Sequence, residues 1–224
     1  MTNSTDNRLS HLIEEQRRAV AQLHDESAWS SEKVAHDAMR VFARVVDSFM
    51  VSFSWDVKDI VVVRLKSSAS TAFDDAFERA VIWRFKAMSK ELSALAGDMS
   101  PDIGRSELDA TREGIALARE CGIKIECALD KVKPGLLGVV FSPGLESDNW
   151  DSHQEAQRKR VKQAIEDVYD DIEACMTKAA RRLVGLAADE YGEGLRRLIN
   201  GQENPAEAAE SNLRAGGFAS ASIS

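Results

Sequence analysis

Residues 161–198 read VKQAIEDVYDDIEACMTKAARRLVGLAADEYGEGLRRL, and the architecture follows from their periodicity. Val161, Ile165, Val168, Ile172, Met176, Ala179, Leu183, Ala187, Tyr191, Leu195 and Leu198 recur at steps of three and four. That spacing puts them on one face of a helix. The mean period is about 3.7 residues, above the 3.5 of a left-handed coiled-coil seam, so a bundle helix is expected rather than a zipper. No proline interrupts residues 151–200, and the pattern survives Gly185, Gly192 and Gly194. A single helix over that range would be about 75 Å long at 1.5 Å per residue. A compact domain of this size has a radius of gyration of about 17 Å. Either the helix bends near those glycines or the molecule is elongated. An elongated bundle leaves apolar surface that self-association covers.

The polar positions of the same segment come in blocks of one sign. Arg158, Lys159, Arg160 and Lys162 are basic, and Glu166, Asp167, Asp170, Asp171 and Glu173 are acidic. Lys178, Arg181 and Arg182 are basic, Asp189, Glu190 and Glu193 acidic, and Arg196 and Arg197 close the series. Such blocks let two helices pair in a shifted or antiparallel register and penalise wrong registers. The competing reading is a solvated face with no partner. Arg158, Arg160, Asp167, Asp170, Arg181 and Arg182 are the candidate self-association residues.

Upstream, Pro134-Gly135 and Pro143-Gly144 bracket an apolar run, and Leu136, Leu137, Val139, Val140 and Phe141 form a candidate tip for a protein partner or a membrane interface. Leu108, Ile115, Gly122, Ile125, Leu129 and Val132 keep helical spacing behind Ser106 and Asp109 as caps. A rival reading ends this helix at Cys121 with Gly122 as a C-cap and strand from Ile123. Phe73, Phe77, Val81, Phe85, Met88, Leu92 and Leu95 define a helix that starts near Thr71 and Asp74 and stops at Gly97, after a polar turn at Ser67–Ser70. Residues 51–65 alternate early and are β-branched later, so helix and a two-stranded insertion compete, with helix favoured. Helices are also expected from Ser30 or Ser31 to Phe49 and from Arg8 to His24. The domain map is an unstructured 1–7, one helical domain over 8–201, and an Ala/Ser/Gly-rich disordered tail over 202–224. The fold class is mainly α, an elongated bundle of long amphipathic helices. The alternative is α+β with short strands near 51–65 and 123–141.

Composition narrows function without naming it. The chain has 224 residues, 44% apolar and 29% charged, which suits a globular protein. Its formal charge of −8 argues against a phosphate-gripping surface as the main activity. Its cysteines, Cys121, Cys127 and Cys175, are odd in number and lack CxxC spacing, so they read as small buried hydrophobes in a reducing compartment. No phosphate-cradling glycine loop, GxSxG, HExxH or Glu-x-x-His pair occurs. His11, His24, His36 and His153 are scattered. No catalytic residue, cofactor or metal ligand is therefore expected. Without an apolar leader or a transmembrane stretch, cytoplasm is the default, and the polar Ser/Thr/Asn-rich start is also compatible with export that needs no cleaved signal. The expected function is a non-catalytic, self-associating assembly component or adaptor. A membrane-active effector using residues 136–141 and a nucleic-acid-binding regulator using Arg158–Lys162 are the alternatives.

Overall fold

A computed structural model describes residues 2–97, 100–133 and 147–203. They build four helical rods and, among the described residues, no strand. The first rod is α1 (Thr2–Asp25) followed by α2 (Ser27–Met50). Backbone bonds from Glu26 N–H to the Gln22 carbonyl and from Ser30 N–H to the Glu26 carbonyl carry the ladder through their junction. The predicted break over 25–31 thus shrinks to Glu26, and α1 takes in residues 2–7, which composition had assigned to an unstructured lead-in. Those residues contain neither Gly nor Pro, so nothing stops the helix from extending.

A turn with a short 3₁₀ segment, Trp55–Val57, leads to α3 (Lys58–Phe77). One π-helical turn, Glu78–Ile82, joins α3 to α4 (Trp83–Ala96). Residues 58–65 are therefore helix, whereas 51–57 reverse the chain, with Val51 74% exposed. The expected polar turn at Ser67–Ser70 is helix interior, because Leu65, Ala69 and Phe73 are all buried on its inner face. Gly97 ends α4 at φ 62°, a left-handed value that favours glycine.

Helix α5 (Gly104–Val132) runs unbroken through Gly122, which excludes the strand reading of residues 123–129. Gly122 is a packing position. A Cβ there would sit 3.1 Å from the Lys66 side chain on α3. The last rod is α6 (Ser147–Glu166) and α7 (Tyr169–Glu203). The helix breaks at Asp167–Val168 and not at the glycines, where a bend was one of the two alternatives. There Val168 N–H reaches back three residues to Ile165, at 3.2 Å, instead of four. Asp167, Val168, Tyr169, Asp170 and Asp171 are all weak helix formers. Asp170 and Asp171 favour a fresh N-terminus, where carboxylates meet the positive end of the helix dipole. Gly185 and Gly192 remain inside α7. At 35 residues α7 is about 52 Å long, so the bundle is elongated along it.

Contacts between rods fix an antiparallel, up-down-up-down arrangement. Lys58 meets Asp130 and Asp74 meets Gly114, so α3 and α5 run oppositely. Lys124 meets Asp171 and Arg182 meets Glu113, setting α5 against α7. Asp47 meets Lys162 and His36 meets Glu173, setting α2 against the last rod. Helix α1 lies on α4 and α7. Phe42, Phe73, Phe85, Ile125, Ile165, Met176 and Tyr191 belong to one continuous buried cluster drawn from every rod. The predicted stripes of α7 and of residues 73–92 supply much of it.

Candidate interaction face on the last helix

Two polar devices hold α7 in place and thereby aim its outer face. Tyr191 is fully buried, and its ring centroid lies 5.0 Å from that of Phe85. Its hydroxyl donates to Gln16 Oε1 at 2.8 Å, and Gln16 Nε2 donates to the Met88 carbonyl at 2.9 Å. One satisfied relay thus ties α7 to α1 and α4. Burial pushes the Tyr191 phenol far above its usual range, so it stays a donor.

The second device is Glu190. It accepts from Arg105 N–H at 3.1 Å and from Ser106 N–H at 2.8 Å, and also from the Ser106 hydroxyl. These are orphan donors of the first turn of α5, so a carboxylate from α7 caps it. Ser106, expected to be the cap, is instead one of the capped residues. Glu190→Ala is expected to lower stability by about 1–2 kcal/mol, with frayed exchange protection confined to the start of α5. Uniform loss of protection across the bundle would contradict this role.

The predicted site residues divide sharply. Arg158 Nε donates to the Phe53 carbonyl at 3.2 Å and clamps the 51–57 turn. Lys159 pairs with Glu155, and Lys162 with Asp47 and Glu166. Of that basic block only Arg160 has neither an ion pair nor a side-chain hydrogen bond among the described residues. Asp167 accepts from Gln163 at the end of α6, and Arg182 pairs with Glu113 at 2.9 Å. These three candidates therefore serve internal contacts, which the sequence could not show because their partners lie on other elements or close a helix end. The run Leu136, Leu137, Val139, Val140 and Phe141 lies outside the described residues, as does the tail beyond 203.

Asp170 and Arg181 behave differently. Both line a shallow groove of about 680 Å³ together with Glu32, Glu173, Ala174, Thr177, Lys178 and Arg182. Asp170, Lys178 and Arg181 are exposed, and among the described residues none has an opposite charge within ion-pair distance. The spacing explains why. A helix neutralises charges at i, i+3 and i+4. Ala174 and Thr177 occupy the positions one turn on from Asp170 and Glu173, where basic partners would sit. The acidic half and the basic half of this face are each one turn too far away to satisfy the other.

Elsewhere the bundle carries one strained carboxylate. Asp74 Oδ1 is buried against Gly114 with no hydrogen-bond partner among the described residues, and a Cβ on Gly114 would lie 2.5 Å from it. Desolvation, then Asp75, pushes its pKa up to about 6, against an opposing hydrogen bond from Ser70. A raised folded-state pKa means the charged form disfavours folding above pH 6, and that cost is relieved as pH falls from 6 towards 4. Discounted for its half-exposed position, the effect is about 1 kcal/mol. Asp74→Asn is expected to stabilise the protein by that amount at pH 7 and by nothing near pH 3.5. A stability difference independent of pH would contradict the assignment.

Burial pushes the Cys121 thiol up to about 12 and the Cys175 thiol up to about 11, where Cys175 also donates to Glu120. Both are poor nucleophiles at neutral pH. Cys127 is exposed, so it is not the buried hydrophobe expected from composition. Among the described residues no group of three or more His, Cys, Asp and Glu side chains could hold a metal ion, and no helix is long and apolar enough to cross a membrane. No family model matches the chain, and no curated protein and no solved structure is significantly similar to it.

Proposed function

We propose that the protein is a non-catalytic helical interaction protein that acts by self-association, as an assembly component or adaptor. The observation that carries this reading is the exposed face of α7. Asp170, Lys178 and Arg181 stand there without charge partners on a rod that the core and two polar devices hold rigid. Rigid placement lowers the entropy cost of docking, and opposed patches on one surface favour encounter with a complementary field. A nucleic-acid role through Arg158–Lys162 has less support, since all but Arg160 of that block are engaged within the chain. The test is co-expression of two differently tagged full-length copies. Retention of one tag on the other's resin, lost at high salt, is expected. Separation of the two copies at every salt concentration would refute the reading.

A further inference from the structure

We infer that the partner of the α7 face is a second copy of this chain, docked antiparallel about a two-fold axis that passes α7 between Cys175 and Met176. The inference rests on the self-association reading and adds its register. Asp170 and Arg181 are equidistant from that point along the helix, as are Ala174 and Thr177, and Glu173 and Lys178. At 100° per residue, Asp170, Ala174, Thr177 and Arg181 fall within an arc of about 60°, and Glu173 and Lys178 flank it on opposite sides. Turning one copy end over end therefore lays the acidic half of each face over the basic half of the other.

Asp170 then faces Arg181 of the second copy, and Arg181 faces Asp170 of the second copy. Glu173 and Lys178 lie on opposite flanks of that contact, and Glu173 already meets His36 of its own chain at 3.7 Å. Ala174 and Thr177 sit at the axis. Ala174 is a single methyl, and the Thr177 hydroxyl is already spent on the Glu173 carbonyl at 2.9 Å, so the helices can approach closely without an unmet polar group. A parallel pairing in register would instead stack like charge on like charge along the whole face. Only the antiparallel arrangement is self-complementary, as an isologous interface requires.

The experiment uses two full-length variants, each made single-signed on the α7 side of this face. Lys178→Glu with Arg181→Glu makes the face acidic. Asp170→Lys with Glu173→Lys makes it basic. Sedimentation velocity at low ionic strength should find the wild type dimerising and each variant alone weakened by about tenfold or more, since each exposed pair is worth up to a few-fold and reversal adds repulsion. Mixed in equal amounts, the two variants should form a heterodimer with affinity near that of the wild type. Misfolded variants could not recover on mixing, so the rescue separates lost pairing from lost structure. Variants that still homodimerise would overturn this register while leaving self-association standing. A wild type that stays monomeric would overturn both.

Discussion

Replacing Tyr191 with Ala is expected to lower the free energy of unfolding by about 3–5 kcal/mol, read from urea denaturation. The side chain is fully buried against Phe85, and truncation opens a cavity where α1, α4 and α7 meet. The milder Tyr191→Phe keeps the ring and removes only the hydroxyl. It leaves Gln16 Oε1 buried without a donor, at a cost of about 1–3 kcal/mol. Gln16→Met should cost a similar amount by orphaning the hydroxyl instead. The two changes together should cost less than their sum by about 1 kcal/mol, because the double variant leaves neither group unmet. Strict additivity would show that the relay does not couple α1 to α7.

Gly194→Ala should destabilise by about 1–3 kcal/mol through overpacking, although alanine is the better helix former. A Cβ at that position would lie 2.7 Å from Pro101 Cβ and 3.0 Å from its Cα. Pro101 has little room to retreat, because its carbonyl accepts from Ser89 at 2.6 Å and neighbouring Ile103 is buried. Gly185 on the same helix supplies the control. Nothing lies within 4 Å of a Cβ there, so Gly185→Ala should stabilise by about 0.5–1 kcal/mol through helix propensity alone. Thermal denaturation should show shifts of opposite sign. Two shifts of the same sign would mean that Gly194 is not a packing glycine.

The periodic features of the fold were legible in the sequence. The stripe from Val161 to Leu198 and the run from Phe73 to Leu92 turn inward as their spacing requires, and Gly97 stops α4 as a C-cap glycine. Local punctuation misled where packing outweighed it. Ser67–Ser70 looked like a turn, yet Ala69 gives that helix a small buried residue and the serines cost little beside it. Gly122 looked like a terminus, yet its missing side chain admits Lys66. The break at Asp167–Val168 did carry a local signal. Five weak helix formers in a row, ending in two aspartates, mark a new N-terminus more strongly than the isolated glycines downstream.

The candidate site was legible only in part, for a reason of distance. The charge blocks were visible, but which charges are already neutralised depends on partners far along the chain. Arg182 is satisfied by Glu113, Arg158 by the Phe53 carbonyl and Glu190 by the start of α5. No spacing rule within the last rod reveals those pairings. Asp170 and Arg181 stand out once the others are subtracted, and they do so because Ala174 and Thr177 fill the positions that would have neutralised them. The Gln16–Tyr191 relay was hidden for the same reason, since Gln16 lies on α1 and reads as one more polar residue of an amphipathic helix.

Native mass spectrometry of the full chain across a series of protein and salt concentrations tests self-association most directly. A discrete dimer whose fraction rises with protein concentration and falls as ionic strength increases is the predicted result. A monomer at all concentrations, or an oligomer indifferent to salt, would contradict the account.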